Sequence, residues 1–168
     1  IIVPRGGKSL VKRVQSESKI PVLAHLEGNC HTYIHSESNI EMSVKIVENA
    51  KLRRTSICGA TESLLIDKNI LNSHLPHIIE NLIQGGCEIV GDRISQNIDS
   101  RIQDASNEDW SKEYLDYKIS IKVVEDINEA IKHISLFGSN HTDCIVTDDK
   151  NAAEKFLNAV DSSIVMHN

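Results

Sequence analysis

Short runs of apolar, often β-branched residues recur along this chain, and most give way to a stretch whose apolar positions return every three or four residues. Ile119, Ile121 and Val123 alternate in one such run, and Asp126 to Phe137 follows with helical spacing. A period of two is that of a strand and a period near 3.6 that of a helix. Strand, helix and strand in succession make βαβ units, whose crossovers set consecutive strands parallel. The alternation therefore predicts an α/β domain with a largely parallel sheet.

The same reading predicts strands at Ile1–Val3, Ile20–Ala24, His31–Ile34, Leu64–Ile66, Cys87–Val90, Ile119–Val124, Cys144–Thr147 and Ile164–Met166. A helical face begins at Leu10, Val11 and Val14, and Asn39 caps the next helix, over Met42, Val44, Ile46, Val47 and Ala50. Asp67 or Asn69 caps a helix running to Gln84 and stopped by Gly85-Gly86. Asp126 starts another that Gly138 ends, and Asp148 caps a helix over 149–159. Residues 51–63 form a polar connection, and 91–112 an irregular one with one short helix.

The 168 residues match one domain in length and suffice to bury a core without staples. Lys and Arg number 18 against 24 Asp and Glu, a net charge of −6, so the chain as a whole does not attract a polyanion. Aromatics at 4% are too few for stacking single-stranded bases, which leaves nucleic acid an unsuitable partner. No apolar run approaches the roughly 20 residues that span a bilayer, and no signal peptide is visible. Cys30, Cys58, Cys87 and Cys144 are evenly spread without CxxC spacing, which argues against a zinc site or a disulfide framework. Free thiols point to a cytoplasmic chain. The apolar ends, Ile1-Ile2-Val3-Pro4 and Ser163-Ile164-Val165-Met166, read as cuts through a larger fold.

Chemistry concentrates on Cys58, in Arg53-Arg54-Thr55-Ser56-Ile57-Cys58-Gly59. Nearby cations favour a nucleophilic thiolate, and a loop leaves the sulfur accessible. Cys30, Cys87 and Cys144 stand at strand starts and read as core thiols. Arg5-Gly6-Gly7-Lys8-Ser9 follows a strand and opens a helix, where free backbone N–H groups favour phosphate, although it matches neither GxGxxG nor a Walker loop. His74 and His77, one helical turn apart, read as a solvated face. Glu113, Asp116 and Asp126 flank a strand as ordinary caps and surface charge.

Taken in order, Ile2-Val3-Pro4-Arg5-Gly6-Gly7, Gly28-Asn29-Cys30-His31, Asn49-Ala50-Lys51 through Cys58 to Leu65, Glu113-Tyr114-Leu115-Asp116 and His141-Thr142-Asp143 resemble the gamma-glutamyl phosphate reductases of the aldehyde dehydrogenase superfamily. The resemblance covers essentially the whole chain. It implies an aldehyde-dehydrogenase-like catalytic domain at 31–168, truncated at its end. Residues 1–30 would be a partial βαβ remnant of the Rossmann-like cofactor domain. It implies NADPH-dependent reduction of L-glutamyl 5-phosphate to glutamate 5-semialdehyde in proline biosynthesis. Cys58 would be the catalytic cysteine that carries the thioester. Gly6, Gly7, Lys8 and Ser9 would form the cofactor-side turn, and Glu113 would bond the nicotinamide-side ribose. Lys51 and Arg54 would assist phosphate or the thiolate. His25 falls where hydrolysing aldehyde dehydrogenases carry a general-base glutamate. The family pattern has Pro at the position of Thr55 and Asn at that of Gly59. The partners expected are a small-molecule substrate and a second copy or a complementary fragment. The alternative is an inactive, truncated or split-gene remnant acting as a binding or assembly module.

Overall fold

A computed structural model describes residues 1–168 in full. Seven strands form one wholly parallel sheet: β1 (Cys30–Ile34), β2 (Thr61–Asp67), β3 (Glu88–Gly91), β4 (Gln103–Asp104), β5 (Lys118–Val124), β6 (Thr142–Val146) and β7 (Ile164–His167). Their order across the sheet is β4-β3-β5-β2-β1-β6-β7. The helices are α1 (Lys8–Glu17), α2 (Ile40–Leu52), α3 (Leu71–Gln84), α4 (Arg93–Ile98), α5 (Ile127–Phe137) and α6 (Lys150–Ala159). None is long and apolar enough to cross a membrane.

Side-chain alternation along the strands divides the core in two. Ile34, Leu64, Ile66, Ile119, Ile121, Val123, Cys144 and Val146 pack on one face with Val47 of α2 and Leu75, Ile78, Ile79 and Leu82 of α3. Tyr33, Leu65, Val124 and Ile145 pack on the other with Ala130 and Ile134 of α5 and Ala152 and Phe156 of α6. The central strands β1 and β2 are buried at every residue, as a sheet covered on both faces requires.

The caps follow the sequence with one shift. The Asn39 side chain accepts the Met42 N–H, and Asp126 accepts those of Asn128 and Glu129. Asp67 caps a single 3-10 turn at Lys68–Ile70 that leads into α3. The last helix is capped by Asp149 rather than Asp148, because Asp149 accepts from the Asn151 and Ala152 N–H groups. The irregular stretch after β3 holds α4, the two-residue β4 and a 3-10 turn at Asp109–Ser111.

Two expectations change. The strands expected at Ile1–Val3 and Ile20–Ala24 shrink to one parallel bridge, Ile2 to Val22, standing apart from the large sheet. The pair has no further strand to lie against, so Ile1, Val3, Ile20 and Leu23 stay exposed. His74 is not on a solvated face: it is buried, and its ring bonds to Ser73 Oγ at 2.8 Å and to the Ser38 carbonyl at 3.1 Å. Its position on α3 is turned toward the end of β1 rather than outward, while His77 stays exposed.

Candidate active site

Because every strand is parallel, the loops that lead into them share one edge of the sheet. The loops preceding β5, β2, β1 and β6, four neighbours in the sheet, carry Glu113, Cys58, Gly28 and His141 respectively. Residues far apart in the chain therefore meet at the amino-terminal ends of the central strands.

Cys58 is the exposed cysteine, in a turn that the Ala60 N–H closes onto the Ile57 carbonyl at 3.0 Å. Gly28 presses on its backbone. A Cβ built at Gly28 would lie 2.1 Å from the Cys58 carbonyl oxygen, so no side chain fits there. The Gly28 N–H donates to Glu113 Oε1 at 2.8 Å. The Cys30 thiol donates to the Cys58 carbonyl at 3.1 Å, and its sulfur lies 3.7 Å from His141 Nδ1. Burial pushes the Cys30 thiol up to about 12. It stays protonated and serves as a donor, a role beyond the core packing expected of it. The Asn29 carboxamide donates to the Trp110 and Phe137 carbonyls at 2.9 and 2.8 Å, tying this loop to those before β5 and β6.

The Cys58 turn separates two cavities. On one side a groove of about 630 Å³ is lined by Gly6, Gly7, Lys8, His25, Cys58 and Glu113, among others. It gathers the expected cofactor-side residues except Ser9, which stands exposed on α1 outside the lining. Gly7 is the N-cap of α1 and offers no side-chain cap. Gly6 has φ 150°, a backbone that disfavours other residues, and a Cβ there would meet Leu10 at 2.9 Å. Lys8 is ion-paired with Glu27. The His25 ring lies 4.5 Å from that of His141, and burial together with His25 lowers the His141 pKa.

On the other side a cavity of about 610 Å³ is lined by Lys45, Asn49, Arg53, Arg54, Ile57 and Gly59, among others. Arg54, one of the residues singled out in the sequence, lines this cavity. Arg53, Lys45 and Asn49 are additions. Arg53 adjoins Arg54, whereas Lys45 and Asn49 become visible only once their helical spacing sets them on one face of α2. A Cβ at Gly59 would meet only His141 Cε1, at 4.0 Å, so the turn has room for a larger residue there.

Lys51 is a correction. Its side chain is fully buried, and its Nζ bonds to Glu62 Oε2 at 2.6 Å. It lines neither cavity, because the last turn of α2 directs it beneath the sheet edge instead of into the loop. No group of three His, Cys, Asp or Glu residues is placed to hold a metal ion.

An exposed cysteine on a strand-entry turn, a parallel sheet covered on both faces and a glycine turn across a groove belong to an aldehyde-dehydrogenase-like fold. A solved NADP-dependent glyceraldehyde-3-phosphate dehydrogenase from Bacillus halodurans, complexed with NADP, superposes on 99% of the chain with a TM-score of 0.75 at 16% identity, a likeness of fold alone. Within that class the sequence is similar to the gamma-glutamyl phosphate reductases. The chain is 52% identical over all 168 residues to a gamma-glutamyl phosphate reductase of Methylobacterium nodulans. It matches the crystal structure of the Thermotoga maritima gamma-glutamyl phosphate reductase at TM-score 0.96 and 35% identity, over 98% of the chain and 40% of that structure. It spans 39% of the length of the Methylobacterium relative. No family model matches the chain.

Proposed function

We propose that this chain carries the acyl-transfer half of an NADPH-dependent reduction of L-glutamyl 5-phosphate to glutamate 5-semialdehyde, a step of proline biosynthesis in the cytoplasm. The observation that carries this reading is the position of Cys58 between two unlike cavities, one lined by glycine and a carboxylate and the other by arginines.

The residues of the groove fit a nicotinamide cofactor. Glu113 spends one oxygen on the Gly28 N–H and keeps the other for a ribose hydroxyl. Gly6 and Gly7 leave the start of α1 open to close approach, and the helix end favours an anion. Residues 1–30 are read as the margin of the cofactor-binding unit and 31–168 as the catalytic domain. NADPH, when bound, supplies a hydride.

The chain's own part is nucleophilic catalysis. The Cys58 thiolate attacks the acyl carbon of the acyl phosphate, the C–O bond to phosphate breaks, and a thioester remains on the sulfur. Arg53 and Arg54 stabilise the departing phosphate and the charge that develops on it. A hydride from the cofactor would reduce this thioester, so that the semialdehyde leaves and Cys58 returns as the thiolate. His25 stands where a hydrolase would hold a carboxylate base, and reductive release needs no activated water.

Acylation tests this without the rest of a whole enzyme. Incubating the chain with acetyl phosphate as an acyl donor should give one hydroxylamine-sensitive adduct, located on Cys58 by peptide mass spectrometry and missing in Cys58→Ser. An unacylated Cys58 that still reacts with iodoacetamide would overturn the proposal.

A further inference from the structure

The buried ion pair that removes Lys51 from the substrate side has a place of its own. Lys51 sits on the last turn of α2 and Glu62 is the second residue of β2. The Cys58 turn spans the interval between them. A contact of 2.6 Å between two fully buried charges thus closes the base of that turn. Glu62 also reaches a third segment, because its Oε1 accepts the Leu115 N–H at 3.2 Å. Leu115 has φ 54°, a left-handed backbone uncommon for a leucine and stabilised by that bond. Two residues before it, Glu113 holds Gly28 against Cys58. The Tyr114 ring between them lies 6.0 Å from Lys51 Nζ.

One carboxylate therefore joins the upstream arm of the nucleophile turn, its downstream arm and the loop that carries Glu113. Burial raises the Glu62 pKa, while Lys51 and the Leu115 N–H act against that rise. Burying two charges is costly, and an apolar pair of similar volume often supports a fold equally well. Stability alone gives no reason for ions at this place, whereas fixing three segments in one register does.

We propose that Lys51 and Glu62 form a positioning pair that holds the Cys58 turn, with Arg53 and Arg54 on it, in register with Glu113. The inference rests on the reading of Cys58 as the nucleophile, yet its test needs neither substrate nor cofactor. Cys58 is alkylated in the folded chain with iodoacetate and with iodoacetamide. The ratio of the two rates reports the positive potential that the turn's arginines place at the sulfur. Trypsin cleavage after Arg53 and Arg54 reports the turn's rigidity.

Lys51→Met should lower the melting temperature, because it leaves a buried carboxylate unpaired. The double variant Lys51→Met/Glu62→Leu should recover most of that loss while the iodoacetate preference still falls about twofold or more. Cleavage in the turn should accelerate by about tenfold. Glu62→Gln retains an acceptor for the Leu115 N–H and should give intermediate values. It also serves as the test variant if the double variant does not fold. A folded variant without the ion pair that keeps the parental alkylation ratio and trypsin resistance would reduce the pair to a structural element and overturn the proposal. Failure of acetyl phosphate to acylate Cys58 would leave these readouts unaffected, so the two ideas fail separately.

Discussion

Gly28→Ala is the smallest change that should disturb the site. The new Cβ would fall 2.1, 2.8 and 2.9 Å from the carbonyl oxygen, carbonyl carbon and Cα of Cys58. All three are backbone atoms, so no side chain can rotate away. The loop before β1 and the Cys58 turn must separate by about 1 Å, an overpacking that costs about 1–3 kcal/mol. Such a separation stretches the Gly28 N–H bond to Glu113 and the Cys30 thiol bond to the Cys58 carbonyl, now 2.8 and 3.1 Å. Weakening both adds about 1 kcal/mol. For a domain of this size a loss of 2–4 kcal/mol lowers the melting temperature by about 5–15 °C. Thermal unfolding followed by circular dichroism would read it, with Cys58 alkylation as the local measure. Gly7→Ala is the control, because nothing lies within 4 Å of a Cβ there. Losing an N-cap glycine should cost about 1 kcal/mol or less and leave Cys58 alkylation at the parental rate. If Gly28→Ala melts within about 2 °C of the parent and Cys58 alkylates at the parental rate, the close approach does not constrain the turn.

The thiols should separate cleanly. Burial pushes Cys30 and Cys87 up to about 12 and Cys144 up to about 11, whereas Cys58 is exposed. Iodoacetamide at pH 8 should therefore modify one thiol in the folded chain and all four in denaturant, as intact mass would report. Acid should destabilise the fold through His133, whose pKa burial lowers from 6.5 to about 3. Its contribution is complete above pH 6.5, where the unfolded chain is also neutral, and is lost as the pH falls toward 3. The slope is about 1.4 kcal/mol per pH unit. Urea midpoints at pH 7, 5 and 4 should show it, and His133→Leu should flatten that dependence.

The sequence by itself determined the layers. The alternation of Ile119, Ile121 and Val123 predicts one face of β5, and these residues line one half of the core. The caps at Asn39 and Asp126 also stand where short-range chemistry sets them. Cys58 stands out as a candidate in the sequence because its cations, its glycine and its loop are all local. These features depend on residues within a few positions of one another, the range over which period and capping act.

Tertiary structure decided what surrounds Cys58. Sheet order brings Gly28, Glu113 and His141 to its turn and bonds Gly28 to Glu113 across 85 residues of chain, and no local pattern records that order. It also decided the fate of charge. Lys51 was expected to assist phosphate or the thiolate, but the end of α2 carries it into the core against Glu62. His74 likewise read as solvated until α3 turned it onto the Ser38 carbonyl. A polar residue is buried only when a partner from elsewhere in the fold meets it, and that partner is set by packing rather than by spacing.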